Sequence, residues 1–226
     1  MAYSKVNTPI FVTGIERSGG SLIARIIEMC GAFSGTTTNM CENVKIKKYV
    51  EYHYKANNFD YRGQYPLPNY KELNIPYGWY DDMEEIMKRQ GYNGKKPWLC
   101  KSSKIGQTWP IWHHHFPDAK YIIVRRRTGD VIESCMKTGF MDAYSDPKVL
   151  KSIGVETERE GWLWWVHEQE KMLASMIEAG LNCKVIWPER MLDGNFQQIH
   201  EMLHWLGLPW KTGIISLLEK TLIKAR

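Results

Sequence analysis

The sequence predicts a single α/β domain in which a central, mostly parallel sheet is flanked by helices. The chain has 226 residues, a length that suits one domain better than two. Short apolar runs of strand length alternate with longer segments of helical periodicity. A glycine-bearing turn joins the first run to the first helix. Because strands that alternate with helices pair in parallel, these observations together favour a parallel sheet covered on both faces.

The predicted elements follow one another in the order that such a sheet requires. The first strand is the apolar run 10–13, which ends at Gly14, and a helix over 21–29 follows and stops before Gly31. Further strands are predicted at 98–100, 121–124 and 183–187. Further helices are predicted at 83–89, 130–137, 156–179, 195–206 and 214–224.

The composition excludes several classes of protein. Hydrophobic residues make up 43% of the chain, which is enough for a core and excludes wholesale disorder. No apolar run approaches the roughly 18 residues of a membrane span, and no signal-peptide core is evident, so we expect a soluble, cytoplasmic protein with no membrane partner. The five cysteines form no CxxC pair, so neither a zinc knuckle nor a disulfide framework is indicated. The formal net charge of +5 suits an anionic ligand.

The segment 34–95 differs from the rest of the chain. It is rich in tyrosine and proline, and its periodicity is weak outside the short helix at 83–89. We therefore expect an irregular, aromatic-rich excursion from the sheet. Aromatic rings with polar tips suit sugar faces and phenols alike, although core packing is the simpler explanation for any single tyrosine.

The loop between the first strand and the first helix has the composition of a phosphate-binding turn. The run 14–21 matches the pattern G-x-x-x-x-G-K-[ST], except that Gly20 stands in place of the lysine. Backbone N–H groups in such a turn converge on an anion, and the helix N-terminus adds partial positive charge. NTPases use that lysine on the β- and γ-phosphates, so its absence disfavours ATP or GTP hydrolysis. The positive charge lies three residues earlier, on Arg17.

A second anion site is predicted where the strand at 121–124 ends. Arg125, Arg126 and Arg127 follow that strand directly, and ligands of open α/β sheets bind at the carboxyl ends of strands. Ser134 comes eight residues after Arg126, so one guanidinium and one hydroxyl can converge on a single anion. Taken alone, the cluster is equally consistent with a solvated surface or a nucleic-acid contact.

Both segments resemble the PAPS-dependent sulfotransferases. The run 11–22 is similar to their 5′-phosphosulfate loop, (R/K)-S-G-T-(T/S)-L, with Gly20 in place of the first threonine. The run 120–134 resembles their 3′-phosphate motif, in which R-(D/N)-P follows a strand and a serine comes eight residues after the arginine; Arg127 and Thr128 are departures. The segments 98–103, 115–121 and 185–209 resemble other parts of the family, whereas 34–95 does not.

The resemblance implies a P-loop-like sulfotransferase fold for a single domain over 1–226, with about 34–95 as an acceptor-binding insertion. It implies PAPS as the donor and PAP as the product. Trp187 matches an aromatic position beside the adenine, and Lys101 would join Arg17 in stabilising the leaving 5′-phosphate, with a solvated strand-end lysine as its alternative. The donor-binding residues implied are Arg17, Ser18, Gly19, Gly20, Ser21 and Leu22 at the 5′ end, and Arg126 and Ser134 at the 3′-phosphate.

The acceptor, a hydroxyl or amine of a small molecule or glycan, needs a general base. Some members of the family use a histidine two residues beyond the lysine that aligns with Lys101, and this chain has Ser103 there. Others use a glutamate that follows the loop cation, which makes Glu42 the first candidate; His53 is the second. No metal is expected, because the histidine run 113–115 has no carboxylate or cysteine at ligand spacing.

Two other classes of function remain as alternatives to a sulfotransferase. The first is a degenerate P-loop nucleotide or small-molecule kinase, which the missing lysine and the lack of an acidic residue after the strand at 121–124 disfavour. The second is a basic nucleic-acid-binding module. No interleaving of aromatic and basic residues on a recognisable RNA or DNA fold supports it, so we expect no nucleic-acid partner.

Overall fold

The computed structural model describes residues 8–72, 74 and 77–218. Within this part of the chain, parallel strands pair in the order β2-β1-β3-β4. The strands are β1 (Ile10–Gly14), β2 (Leu99–Lys101), β3 (Lys120–Val124) and β4 (Cys183–Ile186). The predicted α/β class with a parallel sheet is confirmed. In the register, Phe11 lies opposite Cys100 on one side and Tyr121 on the other, so β1 is an inner strand.

Helices account for most of the remaining structure. They are α1 (Gly20–Met29), α2 (Val44–Ala56), α3 (Trp79–Arg89), α4 (Ser103–Gln107), α5 (Trp109–His115), α6 (Thr128–Met136), α7 (Pro147–Ile153), α8 (Glu158–Glu178), α9 (Glu189–Leu192) and α10 (Gln197–Leu206), with a 3₁₀ turn at Ala143–Ser145. The sequence predicts a helix at 214–224. Residues 213–218 are helical, and residues 219–224 lie outside the described residues.

The sheet divides the core into two hydrophobic clusters, because successive side chains of a strand point to opposite faces. Phe11 and Tyr121 lie in one cluster, and Val12 and Ile122 lie in the other. The first cluster contains the edge-to-face aromatic contacts of Phe11 with Trp98, Trp112 and Phe116. Each such pair adds about 0.5–1.5 kcal/mol beyond the burial of its area. Helices therefore cover both faces of the sheet, and the ends of the strands are the places where a cavity can open.

The long helix α8 is stabilised at its start and along its buried face. Thr157 and Glu160 form a reciprocal capping box that satisfies N–H groups of the first turn. Trp162 and Trp165 are fully buried. The Trp165 Nε1–H donates to the Gly63 carbonyl at 3.0 Å, so α8 also holds the loop that follows α2.

The segment 34–95 contains more regular structure than expected. It includes α2, which is not among the predicted helices, and α3, which extends the predicted helix at 83–89 toward the N-terminus. Asn43 begins α2, because its Oδ1 accepts from the N–H groups of Lys45 and Ile46 at 3.1 Å. No helix among the described residues is long and apolar enough to cross a membrane.

Candidate active site

A cavity of about 690 Å³ opens where β1 and its neighbouring strands end. Its volume lies within the usual range for small-molecule sites, and its position is the one at which open α/β sheets bind ligands. The loop Gly14–Ser21 forms its floor, with walls that come from β2, from the chain after β3, and from segment 34–95. The lining residues with charged side chains are Glu16, Arg17, Glu42, Lys47, Glu51, Arg62, Lys101, Lys104, Arg126, Arg127, Asp130 and Glu189.

Two glycines allow the loop its shape. Gly14 has φ of 151°, and a Cβ there would lie 2.2 Å from the Val124 carbonyl oxygen, so no side chain fits beside β3. Gly19 is left-handed, with φ of 94°, and is the N-cap of α1. Gly19 has no side chain that could cap the helix, and Gly20 and Ser21, the first two residues of α1, line the cavity. This is the arrangement that binds anions at a helix N-terminus.

Arg17 joins the two segments that the sequence predicts to bind phosphate. Its backbone is left-handed, with φ of 70°, which is uncommon for a residue with a side chain. Its Nε–H donates to Ser134 Oγ in α6 at 2.9 Å, and its carbonyl oxygen accepts from Arg126 at 3.2 Å. The structure therefore brings Arg17, Arg126 and Ser134 together, although the bond to Ser134 comes from Arg17, whereas the sequence predicts that Ser134 pairs with Arg126.

Carboxylates already engage the arginines that follow β3. Arg126 Nε lies 3.7 Å from Glu189 and 4.0 Å from Asp130. Arg127, which is more exposed, pairs with the same two carboxylates at 3.5 and 3.1 Å. Arg125 points elsewhere, since it forms a two-bonded pair with Glu170. An anion that binds at Arg126 must compete with Glu189 for the guanidinium.

Lys101, at the end of β2, lies beside the loop and is held by Glu42. The Lys101 Nζ to Glu42 Oε1 distance is 3.5 Å, and Lys47 approaches the other oxygen of Glu42 at 3.7 Å. Both side chains of the Lys101–Glu42 pair are mostly buried, with 15% and 14% exposed. A Cβ built on Gly20 would lie 3.4 Å from Lys101 Cε, so the lysine runs along the start of α1. Glu42 and Lys101, two predicted residues, thus share one wall.

Glu16 and Lys104 also line the cavity and are not among the sequence-predicted residues. The Ser103 Oγ–H donates to Glu16 Oε1 at 3.0 Å. Burial raises the pKa of the Glu16 carboxyl, although the Lys104 ammonium and the Ser103 hydrogen bond oppose that shift. The loop pattern accepts any residue at position 16. Only the structure therefore shows that the Glu16 carboxyl is part of the cavity lining. Lys104 could have been proposed from the sequence, because it is the second lysine in the run 101–104 that follows the predicted strand.

The outer wall is made by two loops that Gln64 clamps together. The Gln64 Nε2–H donates to the Phe140 carbonyl at 2.8 Å, and Gln64 Oε1 accepts from the N–H groups of Asp142 and Ala143 at 3.1 and 3.2 Å. Arg62 bonds to Asp142 at 2.6 Å. Tyr61, Arg62 and Phe140 face the cavity. The wall therefore presents aromatic rings and one cation on a fixed frame.

Of the predicted residues, His53, Trp187 and Ser134 are not in the cavity wall, although Ser134 bonds to Arg17, which is. His53 packs against Tyr49 and Trp79, because its place in α2 turns the ring toward α3, and burial lowers its pKa. Trp187 follows β4, and its ring lies 5.4 Å from the Arg125 guanidinium. Ser18, Gly19, Gly20, Ser21 and Leu22 do line the cavity.

The described residues contain no group of three or more histidine, cysteine or acidic side chains placed to hold a metal ion. What the site offers is a helix N-terminus, the guanidinium groups of Arg17 and Arg126, and the ammonium groups of Lys101 and Lys104 around one cavity. Such donors stabilise negative charge on phosphate or sulfate oxygens. The nearby carboxyls of Glu16 and Glu42 are suited to accept a proton.

Comparisons with known proteins agree with this description. A sequence model described as the sulfotransferase family matches residues 9–212. No curated protein sequence matches the chain at a significant level. Among solved structures, a sulfotransferase from Mycobacterium avium aligns with a TM-score of 0.60 at 12% identity, over 97% of this chain and 68% of that one. A sulfotransferase from Alicyclobacillus acidocaldarius aligns with a TM-score of 0.55 at 13% identity, over 96% and 92% of the two chains. A third, from Mycobacterium tuberculosis H37Rv, has a TM-score of 0.52 at 11% identity, over 95% and 71%.

Proposed function

Because this chain belongs to the sulfotransferase family, we propose that it transfers a sulfuryl group from PAPS to a hydroxyl or amine of a small-molecule or glycan acceptor and releases PAP. The fold, a P-loop-like α/β domain, is the one that the aligned sulfotransferases share. The family match shows a sulfotransferase, and what we propose beyond it is that PAPS is the donor and that the acceptor is a small molecule or glycan.

One observation supports the donor most directly. Arg17 bonds through Nε to Ser134 and through its carbonyl oxygen to Arg126, so the two segments that resemble phosphate-binding motifs are in direct contact beside one cavity. A nucleotide that carries a phosphate at each end of its ribose needs two such groups of donors within the reach of one molecule. We propose that the loop Gly14–Ser21 binds the 5′-phosphosulfate and that Arg126 and Ser134 bind the 3′-phosphate.

The proposed reaction is an in-line displacement at sulfur. The acceptor oxygen or nitrogen forms a bond to sulfur while the bond from sulfur to the 5′-phosphate oxygen breaks, and that oxygen keeps the electron pair. Arg17, Lys101 and the N–H groups at the start of α1 stabilise the charge that develops there. Preorganised donors of this kind typically contribute about 10²–10³-fold each to the rate. The acceptor's proton passes to a carboxylate in the cavity, for which Glu42 is the candidate that the sequence predicts.

We propose that segment 34–95 supplies the acceptor side of a single domain. Its residues Glu42, Tyr61, Arg62 and Gln64 line the cavity. The Tyr61 ring with its polar tip and the neighbouring Arg62 cation favour an acceptor with an aromatic or sugar face.

Thermal denaturation with different ligands tests the donor. A ligand at 100 times its Kd adds about 2.7 kcal/mol. For a chain of this size that raises Tm by roughly 5–10 °C. We expect this shift with PAP and a much smaller one with ATP–Mg²⁺ or a short oligonucleotide. A large shift with ATP–Mg²⁺ and none with PAP would instead support the degenerate P-loop kinase.

A further inference from the structure

Glu16 is a carboxyl group placed inside the anion-binding loop itself. It precedes Arg17, and the two side chains leave the loop in different directions. Arg17 bonds to Ser134 in α6, whereas Glu16 accepts from Ser103, the first residue of α4. Glu16 is partly accessible and lines the cavity together with Ser103, so the carboxyl borders the space in which the proposed reaction takes place.

The surroundings of Glu16 contain charges of both signs, from several elements. Lys104 and Ser103 approach from α4, Lys101 from β2 and Glu42 from the chain before α2. Weaker electrostatic contacts connect Glu16 to Lys47 and Tyr54 of α2 and to Cys135 of α6. Removal of the carboxyl from water outweighs the help of the lysines, so the pKa of Glu16 lies above its ordinary value.

Glu42 has a different environment, because a lysine lies near each of its oxygens. Lys101 lies 3.5 Å from Oε1, and Lys47 lies 3.7 Å from Oε2. A carboxylate shared by two ammonium groups is well suited to fix their positions. Since Lys101 runs along the start of α1, Glu42 sets where that positive charge stands relative to the loop.

We infer that Glu16 is the catalytic base that accepts the acceptor's proton, and that Glu42 is a positioning residue that holds Lys101. This inference rests on the proposed function. As the acceptor attacks sulfur and the 5′-phosphate oxygen leaves with its electron pair, the proton of the attacking hydroxyl passes to Glu16. The Ser103 hydroxyl keeps the carboxyl turned toward the cavity.

The first experiment compares Glu16→Gln with Glu42→Gln. The probe reaction is PAP release from PAPS with water as the sulfuryl acceptor, followed as kcat/KM against pH. The unmodified protein should lose activity as pH falls through the pKa of its base. Glu16→Gln should lower the rate by about 10²–10⁴-fold and remove the fall of kcat/KM at low pH, which is the acidic limb of the pH profile. Glu42→Gln should lower kcat but keep the limb.

Ser103→Ala supplies a second, independent readout. The Ser103 hydrogen bond lowers the pKa of Glu16, so its removal should move the acidic limb to higher pH. A residue that merely supports the loop would not produce this displacement. Infrared difference spectra provide a measurement that needs no turnover. A carboxylic-acid C=O band should titrate above the ordinary glutamate value of about 4.3 and be missing in Glu16→Gln.

The outcomes separate this inference from the proposed function. If the unmodified protein neither binds PAP nor releases it from PAPS, the proposed function fails. If it does both and Glu16→Gln keeps the acidic limb, or if Glu42→Gln loses the limb instead, the assignment of the base to Glu16 is overturned. An infrared band that persists in Glu16→Gln also contradicts it.

Discussion

Arg17 connects the two sides of the cavity through both its backbone and its side chain. The left-handed backbone turns its carbonyl oxygen toward Arg126, while its guanidinium reaches Ser134. A left-handed conformation in a residue with a Cβ costs of order 1–3 kcal/mol and persists where neighbouring contacts enforce it. The contacts with Ser134 and Arg126 contribute to holding Arg17 in this conformation.

At Arg126, we predict a loss that depends on the 3′-phosphate. Arg126→Ala should weaken PAP binding strongly but adenosine 5′-phosphosulfate only slightly, because the latter has no 3′-phosphate. Isothermal titration calorimetry with both nucleotides measures the difference. Arg127→Ala is the control: its side chain is 76% exposed, so its loss should be smaller and should fade at high salt. Equal losses of both nucleotides in Arg126→Ala would contradict the assignment.

At Glu189, removal of the charge should strengthen donor binding. Glu189 lies 3.7 Å from Arg126 and competes with any phosphate for that guanidinium. Glu189→Gln should therefore lower the Kd for PAP several-fold. The matched control is Glu133→Gln, which removes a carboxylate paired with Arg159 on the exposed side of α6. A Kd that rises in Glu189→Gln would show that the carboxylate supports the arginine rather than competing with the ligand.

Site residues that belong to a local pattern were predictable, and those defined by side-chain direction were not. Arg126 and Ser134 are eight residues apart, so sequence spacing is enough to place them at one site, whereas the bond from Arg17 to Ser134 joins residues 117 positions apart and is not predictable in this way. The orientation of Glu16 depends on Ser103, 87 positions away in the chain, which no local pattern encodes. His53 is the converse case: it lies in an aromatic stretch but packs against Trp79 because of its helical phase.

At the scale of elements, a strand or helix could be predicted when its buried positions produce a clear periodic pattern in the sequence. All five residues of β1 are buried, and α8 begins with a capping box, so both could be predicted. In α2 only Ile46, Val50 and Tyr54 are buried, and its aromatic and β-branched residues have low intrinsic helix propensity. Its existence depends on the Asn43 cap and on tertiary packing.

The packing of α8 against the turn Ala143–Ser145 gives a prediction about stability. A Cβ at Gly161 would lie 2.7 Å from Tyr144, which is fully buried, so Gly161→Ala should overpack this contact. We expect a loss of about 1–3 kcal/mol in the free energy of unfolding, measured by urea denaturation. Gly129→Ala in α6 is the control, because a Cβ there meets nothing within 4 Å. Equal effects of the two changes would contradict the packing argument.

For the molecule as a whole, the raised pKa of Glu16 links stability to pH. The native state holds the Glu16 proton more tightly than the unfolded chain does, so this group's stabilisation is complete below the unfolded pKa and is lost as pH rises through the folded pKa. The Tm of Glu16→Gln minus that of the unmodified protein should therefore increase as pH rises from about 4 upward. Differential scanning calorimetry across that range measures it. A difference that stays constant with pH would contradict the burial of the carboxyl.

The order of the sheet explains why one loop lies between two groups of cations. Since β1 lies between β2 and β3, the loop that follows it is flanked on one side by Lys101 and on the other by the chain that carries Arg126. The alternation of strands and helices predicts this class of sheet. The order of the strands depends on long-range pairing that the linear pattern leaves open.

The clamp at Gln64 has a consequence for engineering. Because one buried amide fixes both loops of the outer wall through three hydrogen bonds, the exposed positions around it are free to vary without loss of the frame. Substitutions at the exposed Phe140 that preserve Gln64 and Arg62 should change which molecules fit in the cavity, while the loop Gly14–Ser21 stays unchanged.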